Sequence, residues 1–164
     1  MTIHPFDYLT FLAEVSVTLL GFIAVFLVLS NKEGRFDASD RHFIQAMVVA
    51  ASLSIITAIA PSSLSFFVPE TSLWTAANLA AMAVGVPVIV LQLRLQFAMS
   101  AEEAAKIHWA WHTIAWGMGG SAFLLLVVGF MGAANPVTMY VSAASLVAIL
   151  ALWSFLAVVF RKFF

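Results

Sequence analysis

Apolar residues in this chain do not alternate with polar ones at short range. They run in five long blocks separated by short polar segments. Each block matches or exceeds the ~20 residues that cross a bilayer core as an α-helix. The pattern predicts an all-α, polytopic integral membrane protein with spans at about Tyr8 to Ser30, Arg41 to Val68, Leu73 to Met99, Ile107 to Gly132 and Pro136 to Phe160. Residues between the blocks have the chemistry of helix ends. Asp37 or Ser39 is expected to cap the second helix and Thr71 or Ser72 the third. Ser100 and Glu103 have capping-box spacing, so the fourth helix is expected to begin near Ala101, ahead of its span. Asn135 followed by Pro136 supplies a cap and a first-turn proline for the fifth.

Composition strengthens this reading. The 164 residues are 63% hydrophobic and 9% charged, with a mean hydropathy of +1.06. Soluble domains are only about 45–50% apolar. All seven basic residues, Lys32, Arg35, Arg41, Arg94, Lys106, Arg161 and Lys162, fall on one side of the five-span topology. The positive-inside rule then puts the N-terminus outside and the C-terminus in the cytoplasm. On this topology Tyr8, Trp74 and Tyr140 belong to the outer interface, and Trp109 and Trp111 to the inner aromatic belt. The N-terminus lacks the basic region of a secretory signal, so the first span is expected to remain. The expected location is a cell membrane, the inner one in a bacterium.

Several function classes lose support. A net charge of −1 without a basic arm gives no basis for nucleic-acid binding. The absence of cysteine removes disulfides, thiolate metal sites and thiol nucleophiles. No serine-nucleophile motif, catalytic carboxylate pair or nucleotide fingerprint occurs, and the chain is not expected to be an enzyme. Inter-span segments are short, so the chain reads as a single transmembrane domain whose activity lies in or beside the bilayer.

One carboxylate breaks the first apolar block. Glu14, in LAEVSVTLLGF, lies about two turns inside the predicted outer boundary, where an ionised side chain needs water or a partner. Thr10, Glu14, Thr18, Gly21 and Val25 share a helical stripe, with Ala24 beside it and Phe22, Phe26, Leu27 and Leu29 largely elsewhere. This stripe reads as the wall of an ion pathway, with Glu14 attracting cations and the Gly21 to Val28 region forming an apolar narrowing. The alternative is close packing, with Glu14 buried against neighbouring helices and Gly21 and Ala24 permitting approach.

Other polar residues fall into two groups by depth. Asn78, Ser63 and Ser142 form an expected outer polar layer, together with Ser62, Ser65 and Thr138. His42, Gln45, Gln92, Arg94, Gln96, His108 and His112 form an inner polar group. His108 and His112 lie one turn apart, a spacing compatible with a metal, and His42 could complete a bis-histidine haem site. Their aromatic and basic neighbours also suit ordinary interfacial histidines, and HWAWH lacks the glutamate of a zincin motif. No metal site or cofactor is assigned. Arg94 is expected to snorkel to the inner surface. Pro61 and Pro87 each free a backbone carbonyl. Gly117 and Ser121, in GMGGSA, have the small-xxx-small spacing of close helix packing, and Trp116 and Trp153 are expected to fill packing space.

These features lead to a small homo-oligomeric ion channel or conduit, cation-conducting, lined by the first helix. Its expected partners are the lipid bilayer, inorganic ions and further copies of the chain. A non-catalytic scaffold or accessory subunit is the second reading, and a haem- or quinone-binding membrane protein using His42, His108 and His112 the third.

Overall fold

The computed structural model describes residues 4–31, 38–102 and 109–163. Five long helices account for most of them: α1 (Pro5–Asn31), α2 (Ala38–Leu64), α3 (Glu70–Phe97), α4 (Trp109–Phe130) and α5 (Pro136–Phe163). All five are long and apolar enough to cross a membrane. The chain is a multi-pass membrane protein. Successive helices run antiparallel, so one end of the bundle carries the start of α1 and the other the end of α5. We call these the N-terminal and C-terminal ends.

Most helix boundaries lie within a few residues of expectation, and the differences have local causes. The third helix starts at Glu70, earlier than its hydropathy suggests, because Pro69 occupies the cap position with φ −55° and ψ 146°. Neither Thr71 nor Ser72 caps it. Instead, the Ser72 hydroxyl donates back to the Pro69 carbonyl at 3.3 Å. Ser39 likewise falls inside α2, while Asp37 and Glu103 lie outside the described residues. The fifth helix starts as the sequence implies: Asn135 Oδ1 accepts the backbone N–H of Val137 at 2.9 Å and of Thr138 at 3.3 Å. The fourth ends at Phe130 because Gly132 adopts φ 68°, which lets the Ala133 amide reach back to the Val128 carbonyl at 3.2 Å. That left-handed turn suits glycine.

The fifth helix is the axis of the bundle. It packs against each of the other four helices, whereas among the described residues the backbone of α1 comes close only to α2 and α5, and that of α4 only to α3 and α5. Small side chains explain this position. Ala143, Ala144, Ala148, Ala151 and Ala157 are all buried on α5, and they let neighbouring backbones approach closely where lipid offers no hydrophobic drive for association. Among the described residues the backbones of α2 and α4 do not come close. They face one another across the ring formed by α2, α3, α4 and α5.

Hydrogen bonds join the helices at single points. The Ser16 hydroxyl of α1 reaches Ser54 Oγ on α2 at 2.8 Å, and Tyr8 Oη lies 3.0 Å from Ser145 Oγ on α5. The most informative joint involves Tyr140, whose hydroxyl donates to the Thr57 carbonyl on α2. Thr57 precedes Pro61 by four residues, so its carbonyl lacks the amide that would normally pair with it in the helix. Tyr140 supplies the missing donor. Its ring is 0% exposed, so it is not the interfacial anchor its aromatic chemistry suggests. Tyr140→Phe should therefore destabilise the protein by about 1–3 kcal/mol through an unpaired buried carbonyl. In a Pro61→Ala background, where residue 61 again donates its own N–H, that cost should fall by half or more. Melting temperatures of the four proteins in one detergent test this as a double-mutant cycle.

Candidate functional site

Two features stand out, on opposite sides of the α2–α5 pair. The first is the free face of α1. Leu9, Leu12, Ser16, Leu19 and Ile23 are buried against α2 and α5, which leaves Thr10, Glu14, Thr18, Gly21, Ala24 and Val25 exposed. At about 100° per residue, Glu14 falls at the centre of the exposed arc, opposite Ser16 and Ile23. Packing of Glu14 within its own bundle is thereby corrected: among the described residues the carboxylate faces away from every other helix. The hydroxyls beside it are bonded along their own helix, Thr10 to the Phe6 carbonyl at 2.9 Å and Thr18 to the Glu14 carbonyl at 2.8 Å. Phe22 shares this side at 60% exposure, contrary to its expected placement elsewhere. The reason is that α1 covers only a narrow strip of α2 and α5.

The outer polar residues differ in burial. Ser63 is exposed, and Ser142 is half-buried in a shallow groove with Pro5, Tyr8 and Val141. Asn78 is fully buried. Its amide donates to the Trp74 carbonyl at 2.7 Å and to the Pro136 carbonyl at 3.1 Å, tying α3 to the start of α5. Its oxygen faces Gly129 of α4 so closely that a Cβ there would meet Oδ1 at 2.7 Å and the Met139 Cβ at 2.9 Å. Asn78 is the lock of the N-terminal end. Gly129, not Gly117, is the packing glycine of α4: Gly117 and Ser121 are exposed, and a Cβ on Gly117 would meet nothing within 4 Å. The small-xxx-small pair points out of the bundle because the Gly129 side of α4 is held by Asn78.

The second feature is a cavity of about 160 Å³ between α2, α3, α4 and α5. It runs from Thr57 and Leu126 towards the C-terminal end, where His42, His112, Gln92 and Gln96 line it. The inner polar group is therefore partly assembled. His42 and His112 rings lie 5.8 Å apart, and Gln96 Oε1 accepts the Trp116 indole N–H at 2.8 Å. Gln45 and Arg94 are exposed and do not line the cavity, and His108 lies outside the described residues. Among the described residues no three His, Asp or Glu side chains gather as a metal site. Trp153, assigned by sequence to packing, lines this space and lies tilted by 41° against Trp111, their ring centroids 4.5 Å apart. Trp111 is thus a cavity wall, while Trp109 is 70% exposed. The sequence did carry one signal for the cavity: Gly85, Ile89, Gln92 and Gln96 repeat at helical spacing on one face of α3.

Comparison with protein-family models, curated proteins and solved structures returned no match. The two glycine environments on α4 make a direct test of the packing. Gly129→Ala should lower stability by about 1–3 kcal/mol through overpacking. Gly117→Ala should leave it unchanged or raise it by up to about 1 kcal/mol from helix propensity. Thermal melting of both variants in the same detergent checks the contrast.

Proposed function

We propose that the chain assembles into a ring of identical copies whose α1 helices surround a shared aqueous axis, forming a cation conduit with Glu14 near its outer mouth. The N-terminus lies outside and the C-terminus in the cytoplasm, as the one-sided distribution of Lys and Arg implies. One observation carries the reading. Glu14, nine residues into α1 and about 14 Å along its axis, is exposed at the centre of a face that no other helix covers among the described residues.

A charged side chain facing acyl chains costs about 2.5–3.5 kcal/mol on insertion scales. A common axis removes that cost, because each copy then contributes its carboxylate to a hydrated ring, an arrangement that concentrates cations. Thr10 and Thr18 flank the ring with hydroxyl oxygens still able to accept. Further along, Gly21 gives way to Val25 and Val28, which are 58% and 62% exposed in a single copy and would form the apolar narrowing. The exposed Gly117 and Ser121 give α4, at the other edge of the bundle, a small-residue surface for contact between copies.

The test pairs oligomeric mass in nanodiscs with cation flux into proteoliposomes. The wild type should be multimeric and conduct. Glu14→Gln and Glu14→Ala should assemble normally and lower flux about tenfold, the loss of one favourable ion contact of about 1.4 kcal/mol. Equal flux in all three proteins would reject the role of Glu14. An assembly that carries no flux, and whose subunit association weakens on mutation, would indicate a scaffold instead.

A further inference from the structure

The α2–α3–α4–α5 cavity is unlike the rest of the interior. Gly85 is buried, yet a Cβ added to it would meet no atom within 4 Å, and the same holds for Gly119 on the facing helix. Interiors are normally packed as densely as organic crystals. Here α2 and α4 are held apart at the backbone and meet through large rings, His42 with His112 at 5.8 Å and Phe43 with Trp111 at 6.5 Å between centroids.

The lining has a definite chemistry. Two buried N–H groups, Gln92 Nε2 and Trp153 Nε1, have no hydrogen-bond partner among the described residues, and both belong to lining residues. Leaving such donors unmade costs about 1–3 kcal/mol each. Beside them stand the His42 and His112 rings, and imidazole can donate or accept. The remaining walls are aliphatic or aromatic, with flat faces from Trp111, Trp116 and Phe123. Among the described residues no carboxylate, ammonium or guanidinium lines the space. An anionic headgroup would enter without a counter-charge, whereas a neutral molecule with carbonyl oxygens would satisfy the free donors. Size narrows the choice: a cavity of about 150 Å³ holds a benzene ring, and this one measures about 160 Å³. A porphyrin exceeds it.

We propose that this cavity is a binding site for a neutral, membrane-dissolved quinone with a single-ring head. The ring lies among the tryptophans, and its carbonyls accept from Gln92 and Trp153 at the histidine-lined end. When the ring is reduced, its hydroxyls find an acceptor in a neutral imidazole, so both forms can be held. No described side chain of α1 lines the cavity, so this site and the Glu14 conduit stand or fall separately.

The test titrates purified full-length protein, in nanodiscs of zwitterionic lipid, with a decyl-substituted 1,4-benzoquinone, following helix melting by circular dichroism. The wild-type melting temperature should rise and saturate. Gln92→Leu should weaken the apparent affinity about tenfold, the equivalent of one hydrogen bond. Gly119→Phe and Gly85→Leu each put a side chain into the cavity without a clash at Cβ. Whichever of them folds with a wild-type ligand-free melting temperature should show no quinone-dependent rise. Glu14→Gln should keep the full rise. The proposal is overturned by the absence of a saturable rise in the wild type, or by an undiminished rise in a folded cavity-filling variant. It is equally overturned if an anionic phospholipid added to the nanodisc raises the melting temperature and abolishes the quinone effect.

Discussion

In hydrocarbon a backbone carbonyl without its amide must find another donor, and Pro61 imposes that demand on Thr57. The answer comes from Tyr140, across the α2–α5 contact. Once its hydroxyl is committed there, the ring must be buried, and Trp74 packs edge-on against it at 5.8 Å. Asn78, one turn after Trp74, then reaches Pro136 at the start of α5 and faces Gly129 of α4. A single proline thus sets the registry of α2, α3, α4 and α5 at the N-terminal end.

That tight end determines the looser one. Alanines along α5 draw α1, α2 and α4 onto it, while Asn78 ties α3 to its first turn. Towards the C-terminal end the side chains facing inward are large, among them Trp111, Trp116, Trp153 and Phe43. Large rings in a four-sided arrangement hold the helices apart, and the glycines at 85 and 119 leave the gap unfilled. The cavity follows from this taper. The same arrangement places α1 at the edge of the bundle, and its polar stripe is left uncovered.

How much of this could be read from sequence depends on what the bilayer does to the usual signals. The five spans, the Asn135 cap and the release of a carbonyl by Pro61 were legible, because each follows from hydrophobic length or local backbone chemistry. Facing was not. Lipid tails are as apolar as leucine, so a helix shows little contrast between its core side and its lipid side. Gly117 and Gly129 look alike in the chain, and only the position of Asn78 decides which one packs. Tyr140 and Trp153 read as an interface anchor and as filler because their partners are remote in sequence: the tyrosine bonds a carbonyl 83 residues away. Glu14 is the exception. Its cost in lipid is large enough to flag its stripe from sequence alone, though not whether its own helices or other copies would shelter it.

The two sites express different kinds of unmet demand. On α1 the hydroxyls are already satisfied along the helix, and what is left over is a carboxylate. A full charge at membrane depth is not relieved by one hydrogen bond; it requires water or counter-ions, and hence a space large enough to be hydrated. A single α1 helix has no such space, but several copies sharing an axis do. Around the cavity the unmet groups are neutral N–H donors beside aromatic walls. Each of these is relieved by one carbonyl oxygen, without water or charge, so a space the size of one ring is sufficient. The formal charge of the unsatisfied group therefore sets both the scale and the chemistry of the two proposals: assembly of many copies on one side of the α2–α5 pair, and a small neutral ligand on the other.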